Sequence, residues 1–387
     1  MKILLLAPGE SIHSRRFLQM LLDRGHQVTL VDFHDPIPQG CLSYRFIAYP
    51  KPFKQLSGKY RSLRYFASWV ERMKLKHIWK MVKPDIVHVH WIDGRAEQCG
   101  KAGLHPLILT CWGSDINNLF ESKCQDEHYL HQTITALSCA DYITADTNQV
   151  LERCNTLVGK ELKSGLFYFG IDFNRFHPNI PSKEVIIFKE NFNIPLNAKI
   201  ILSIRRLVPM LGHEHILRAF SSLISQINDE FVLIFHHYLG KNSAYEYKLK
   251  KLADNLGISQ NIIWLEGIRD DQMPELYSSA DLIINFPDYD GLPVSLFEAA
   301  ACKKMIVTNN LIAYKEILEK SNFTVVPVGD TSQLASAMKT VFLTPDSLKN
   351  KQVEENYEYI LQIADQRKCV SKLEKVYIDL ISHEKHG

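Results

Sequence analysis

The chain has 387 residues, 46% of them hydrophobic and 23% charged, with a formal net charge of +2. That composition excludes a disordered chain, and the length suits two domains of ~100–200 residues rather than one core. The near-neutral balance argues against a nucleic-acid binder, and no stretch approaches the ~18 uninterrupted apolar residues of a membrane span.

The opening MKILLLAPGE has an apolar run too short for a secretory leader, and polar residues follow at once, so Lys2–Ala7 reads as a first strand. Ser14–Arg24 has helical spacing closed by Gly25, and Gln27–Phe33 is the next strand. Ile86–His90, Leu107–Cys111 and Tyr142–Ala145 follow, with helical segments between them. The second half repeats the scheme, with strands over Lys199–Ile204, Phe231–His236, Asn261–Leu265, Asp281–Asn285, Met305–Thr308 and Phe323–Val326. Helices are expected near Glu214–Gln226, Tyr245–Asn255, Met273–Ser279 and Ser295–Cys302. Near-continuous Val/Ile/Leu runs alternating with helices predict parallel sheets covered on both faces. The fold class is therefore α/β, with two doubly wound, Rossmann-like domains facing a cleft. Pro and Asn cluster between Phe176-His177-Pro178 and Pro195. This gives an N-terminal domain over 1–178, a C-terminal domain over 179–350 and a helical tail over 351–387 whose docking the pattern leaves open. The eight cysteines stand singly, with no CxxC pair, which fits reduced thiols in a cytoplasmic protein and predicts neither zinc nor a redox pair.

Ligands of doubly wound folds bind outside the carboxyl ends of the strands. The strongest signal there is Asp290-Gly291-Leu292-Pro293-Val294-Ser295-Leu296-Phe297-Glu298, where a strand runs into a polar loop and a helix begins near Pro293. Backbone N–H groups of Gly291, Leu292, Val294 and Ser295 would be free to hold phosphate at the helix N-terminus. Asp290 and Glu298, eight residues apart, would hold hydroxyls at different parts of one long ligand. The first loop, Pro8–Arg16, is not GxGxxG, which weighs against a nicotinamide dehydrogenase.

These motifs together resemble the family-4 glycosyltransferases of the GT-B fold. Tyr277-Ser278-Ser279-Ala280-Asp281 with Asp290–Cys302 looks like the family's E-x7-E region. Arg24–Val28, Pro84–His90 and Gly170-Ile171-Asp172 resemble its N-terminal elements and hinge entry. Arg206-Leu207-Val208-Pro209 with Gly212 resembles the donor-phosphate loop, with Arg206 in the family position and Arg205 beside it as a spare. Gly267 and Ile268, followed by Met273-Pro274 and Tyr277, resemble the base-binding loop. The resemblance implies retaining transfer from a UDP- or GDP-sugar to a glycan or lipid-linked acceptor, in polysaccharide or glycoconjugate biosynthesis. Asp290 and Arg206 would then be catalytic, with no cofactor beyond the donor and no metal, because arginine and the helix N-terminus supply the positive charge. Three departures stand out. The family's first Glu is Asp290 here, its phosphate-loop Lys is Leu211, and its N-domain His is replaced by Trp112. That leaves His90 and Asp115 as the polar catalytic candidates of the N-terminal domain, and Glu10, His13 and Trp112 as acceptor contacts. A non-catalytic subunit of the same fold and a sugar-nucleotide epimerase are the alternatives.

Between Lys51 and Lys83 ten Lys/Arg face a single acid, Glu71, with Tyr65, Phe66, Trp69 and Met73 interleaved. Positions 62, 65, 66, 69 and 73 share one helical face, so this stretch is expected either to touch an anionic membrane at the inner face or to turn its apolar stripe into the core.

Overall fold

The computed structural model describes residues 1–9, 11–32, 45–48, 61–120, 126–236 and 243–384. They form two compact units, Met1–Phe169 with Gln366–Gly387, and Gly170–Asp365. Among the described residues no helix is long and apolar enough to cross a membrane. Six cysteines lie among them, and none is in a disulfide.

The first unit is built on β1 (Lys2–Leu6), β2 (Gln27–Asp32), β3 (Arg45–Ala48), β4 (Ile86–His90), β5 (Leu107–Thr110), β6 (Tyr142–Ala145) and β7 (Ser164–Leu166). The strands pair in parallel in the order β3-β2-β1-β4-β5-β6-β7. Alternation along each strand sends residues to opposite faces. Leu4, Leu6, Val87 and Val89 join one apolar layer. Ile3, Leu5, Val28, Leu30 and Ile86 join the other, with Phe17, Leu18 and Leu21 of the helix Ile12–Asp23. With both faces covered, stretches such as residues 3–6 and 107–109 are apolar throughout, which is why those runs are legible as strands.

The second unit carries β8 (Lys199–Ser203), β9 (Phe231–His236), β10 (Ile262–Leu265), β11 (Leu282–Asn285), β12 (Met305–Asn309) and β13 (Thr324–Val326), in the order β10-β9-β8-β11-β12-β13. Each sheet reverses its winding once, between β1 and β4 and between β8 and β11. Such a switch point opens a crevice at the carboxyl ends of its two strands. In the second unit that crevice is bounded by the loops after β8 and β11.

The unit boundary falls at Phe169/Gly170, upstream of the 178/179 boundary expected from the Pro and Asn cluster. Gly170 adopts φ 75°, and the next residue, Ile171, bridges to Asp365 and donates its N–H to Ala364 O at 2.7 Å. Arg175 then pairs with Asp270 at 2.7 Å, so residues 170–178 belong to the second unit. The C-terminal region is two helices, Asp346–Ala364 and Gln366–Glu384, split at Asp365 between the units. The last helix buries Val370, Leu373 and Tyr377 on the first unit's sheet. Its Tyr377 hydroxyl lies 2.6 Å from His88 Nδ1, and Glu374 pairs with Arg24 at 2.7 Å and His26 at 2.9 Å.

Candidate functional site

At the switch point of the second unit, Arg205 and Arg206 follow β8, and Asp290 follows β11. A 3-10 turn, Pro209–Leu211, fastens the two loops, because Met210 O accepts the N–H groups of Asp288 at 2.9 Å and Tyr289 at 3.3 Å. Gly212 closes the turn at φ 69°, where a Cβ would lie 1.8 Å from Phe286 O. No other residue type allows the loops to lie this close. Leu211, in the place of the family lysine, is turned inward and is 3% exposed.

The helix Val294–Ala301 starts after Pro293, which is extended at φ −83° and offers no side-chain cap. Its first N–H groups therefore have no side-chain partner at the helix end, where the dipole is positive. Asp290 lies just before it, with Oδ2 taking hydrogen bonds from Arg205 Nη2 and from the Tyr314 hydroxyl at 3.0 Å. Burial pushes the Asp290 carboxyl above the usual carboxylate range, while Arg205, Tyr314 and the Gly291 N–H pull it back. Ser295 Oγ and Arg205 Nε are buried without a hydrogen-bond partner among the described residues. Buried polar groups are seldom left so unless something else fills the site. Arg206 is exposed beside this cluster.

Glu298 lies one turn deeper, 5% exposed, and accepts from the Tyr277 hydroxyl at 2.6 Å. Tyr277, fully buried in the helix Met273–Ser279, also reaches Ser295 O at 3.3 Å. Gly267 turns the chain after β10 at φ 78°, and Ile268 beside it is buried. The structure thus gathers Arg205, Asp290, Gly291, Leu292, Pro293, Val294 and Ser295 at the switch point, with Glu298 behind them. Tyr314 was not singled out by the sequence. It comes from a 3-10 turn, Ile312–Tyr314, with no motif of its own, and its hydroxyl also accepts from Asn285 Nδ2 at 3.0 Å.

The first unit's candidates sit differently. His90, expected as a catalytic group, is 0% exposed among the rings of Phe17, Trp112 and Phe169, at centroid distances of 4.3, 5.9 and 5.8 Å. Burial, then His88 and His13, hold its imidazole well below the usual range, so it stays neutral, and neither ring nitrogen has a hydrogen-bond partner among the described residues. Asp115, also expected to be catalytic, is 1% exposed and accepts the N–H groups of Ile92 at 2.9 Å and Trp112 at 3.0 Å. It ties the loops after β4 and β5 together, and burial pushes its carboxyl up to about 6. His13 and Trp112 pack edge to face at 5.6 Å, both partly exposed. Trp91, next to His90, takes a left-handed φ of 68°, rare for an aromatic residue and common at functional loops. Glu10 lies outside the described residues.

The 22-residue helix Arg61–Val82 buries Ala67, Leu75 and Ile78. Phe66, Trp69 and Met73 are instead 52%, 53% and 49% exposed, and the first two rings stack at 6.0 Å. The expected aromatic stripe therefore faces solvent. The side chains at 62 and 65, and all of 51–60, lie outside what is described.

Comparison with known proteins adds two family matches. The glycosyl transferase 4-like family matches residues 2–147, and the glycosyl transferases group 1 family matches residues 184–359. An uncharacterized glycosyltransferase of Methanocaldococcus jannaschii is 24% identical over 80% of this chain and 79% of its own. The N-acetyl-alpha-D-glucosaminyl L-malate synthase of Bacillus anthracis is 21% identical over 78% and 77%. Among solved structures, Anabaena HepE in complex with UDP and glucose superposes with a TM-score of 0.78 at 17% identity, covering 98% of this chain and all of that one. Sucrose-phosphate synthase from Thermosynechococcus elongatus gives 0.79 at 16% identity, over 99% and 100%. At such identities these two likenesses establish the fold.

Proposed function

The chain belongs to the family-4-like glycosyltransferases of the GT-B fold, and from that premise we propose that it moves a hexose-type sugar from a UDP- or GDP-sugar, with retention and without metal, to a glycan or lipid-linked acceptor. The observation that carries this reading is the uncapped helix N-terminus at Val294, flanked by the Asp290 and Glu298 carboxylates, with the buried Ser295 Oγ left unpartnered among the described residues. Amides and the exposed Arg206 would take the donor diphosphate, Glu298 the ribose and Asp290 the transferred sugar. Positive charge fixed where the leaving phosphate gains negative charge lowers the barrier without reorganisation, and it would do so without a divalent ion. A polysaccharide or glycoconjugate product is in keeping with the relatives, one of which bears the name of teichuronic acid biosynthesis.

The acceptor would be met by the first unit, through His13, Trp112 and Glu10. A lipid-linked acceptor would suit the exposed Phe66, Trp69 and Met73 among the lysines and arginines of the helix Arg61–Val82, a face that fits an anionic membrane. The test is calorimetry with UDP-glucose, UDP-N-acetylglucosamine and GDP-mannose, followed by product analysis with the donor that binds. Retained anomeric configuration and full activity in excess EDTA are expected. No nucleotide-sugar binding would overturn the reading, and donor conversion without any acceptor would replace it with epimerisation.

A further inference from the structure

We propose that Arg205 and Tyr314 are positioning residues that hold the Asp290 carboxylate charged and aimed at the donor sugar, rather than ligands of the donor diphosphate. This rests on the reading above that Asp290 meets the transferred sugar. Asp290 is one methylene shorter than the glutamate of the family pattern, so its carboxylate reaches less far from the same loop and needs firmer placement.

The placement is visible in how its lone pairs are used. A carboxylate offers about four acceptor positions. Oδ2 receives Arg205 Nη2 and the Tyr314 hydroxyl, and the Gly291 N–H also bonds the carboxylate. That leaves about one position for a ligand hydroxyl. Behind this shell the Tyr314 hydroxyl is fixed in turn by Asn285 Nδ2. Tyr314 and Asn285 are buried, so the supporting pair of Asn285 and Tyr314 is enclosed by protein, while the Asp290 side chain stays 17% exposed. Such a network orients its terminal acceptor more firmly than a solvated loop carboxylate could be held.

The neighbouring Asp288 carboxylate does not compete for Arg205. Asp288 pairs with His215 at 3.4 Å, and Arg206 stands exposed on the following residue of the loop. Among the described residues Arg205 is the cation paired with Asp290, and its Nη2 is committed there. Burial alone would drive the carboxyl toward its neutral form, in which it would take protons rather than accept a sugar hydroxyl with full charge. Removing Arg205 should leave Asp290 in place but take away the guanidinium that favours its charged form against burial.

The sugar increment, defined as the affinity ratio of a nucleotide sugar to its nucleotide, isolates this effect. It would be measured by calorimetry for UDP-glucose against UDP and GDP-mannose against GDP, from pH 5.5 to 8.5, keeping the pair that wild type binds best. Asp290→Asn and Arg205→Ala should each lower the increment about tenfold at pH 6.5, the loss expected for one charge-assisted hydrogen bond, with nucleotide affinity unchanged. The double variant should be no worse than Asp290→Asn, since a positioning residue acts through its target. Arg205→Ala should recover as pH rises, whereas Asp290→Asn should stay flat with pH. Tyr314→Phe should give a smaller loss with the same trend, and Arg205→Lys should restore part of the increment, which guards against a folding defect in the alanine variant. Additive losses in the double variant, or a tenfold drop in the affinity for UDP or GDP itself, would overturn the proposal. Absence of any increment in wild type would overturn it together with the sugar-contact reading, and is told apart by needing no variant.

Discussion

Replacing Glu298 by alanine tests the other end of the site. Its carboxylate is 5% exposed one turn inside the helix Val294–Ala301 and already holds the Tyr277 hydroxyl at 2.6 Å. A ribose would supply two further hydroxyls. Hydrogen bonds to a charged group contribute ~1.5–3 kcal/mol, and each 1.4 kcal/mol is tenfold in affinity. With the net loss of one such bond, Glu298→Ala should weaken UDP or GDP at least about 10- to 150-fold. The loss should be the same for nucleotide and nucleotide sugar, because the ribose is common to both, so the sugar increment stays intact. That is the reverse of the pattern expected at Asp290. The variant also takes the 2.6 Å bond from the buried Tyr277 hydroxyl, which keeps Ser295 O at 3.3 Å, and should melt lower than wild type. Tyr277→Phe separates the two effects, since it removes the brace while keeping the carboxylate, and only a few-fold loss in affinity is expected. Calorimetry below the melting transition of each variant is the assay. Unchanged nucleotide affinity in folded Glu298→Ala would remove Glu298 from the site and undo the assignment of ribose to this helix.

Arg206→Ala should lower kcat/KM by a hundredfold or more, about 3 kcal/mol of transition-state stabilisation, and Arg206→Lys should rescue it incompletely because lysine lacks the planar fork; steady-state kinetics with the donor identified by titration checks this. Trp69→Ala should reduce binding to vesicles rich in phosphatidylglycerol without changing donor affinity, and equal co-sedimentation of variant and wild type would remove this helix from any membrane contact. The first unit should lose stability in acid, measured as melting temperature between pH 7 and 4. Burial depresses His88 to about 3 and also lowers His90, so the unfolded chain takes up their protons first, near 6.5, and each costs ~1.4 kcal/mol per pH unit as pH falls. Asp115, raised to about 6, works the other way from pH 6 down to about 4, so Asp115→Asn should steepen the decline.

What was legible in the sequence was whatever is local. Ile86–His90, Tyr142–Ala145 and Phe231–His236 form strands with the limits their mainly apolar runs suggest, because strands buried on both faces are rich in apolar residues. Ser164–Leu166 was not seen, since a three-residue strand beginning Ser-Gly has no run to read. The end of the Asp346–Ala364 helix was missed for another reason. Ala364-Asp365-Gln366 contains neither Pro nor Gly, and the break is fixed by pairing with Ile171, far away in sequence. The burial of His90 has a signal in the sequence. Alternation puts positions 86, 88 and 90 on one face, and a sheet covered by helices on that face buries all three.

The site divides along the same line. Asp290, Pro293 and Glu298 lie on one strand–loop–helix segment, so their spacing announces them. The side chains that act on Asp290 come from elsewhere, Arg205 from 85 residues upstream and Tyr314 from 24 residues downstream. Neither carries a motif. They converge because β8 and β11 are neighbours at the point where the sheet reverses its winding, and because Gly212 lets the two loops touch. The choice between Arg205 and Arg206 shows the consequence. In the sequence they are adjacent guanidinium groups, and family register alone makes the first a spare. In the fold, one residue of offset turns Arg205 onto the partly covered Asp290 carboxylate and leaves Arg206 open to solvent. Two residues of the same chemistry thereby acquire different tasks, and only the pairing across the switch point tells them apart.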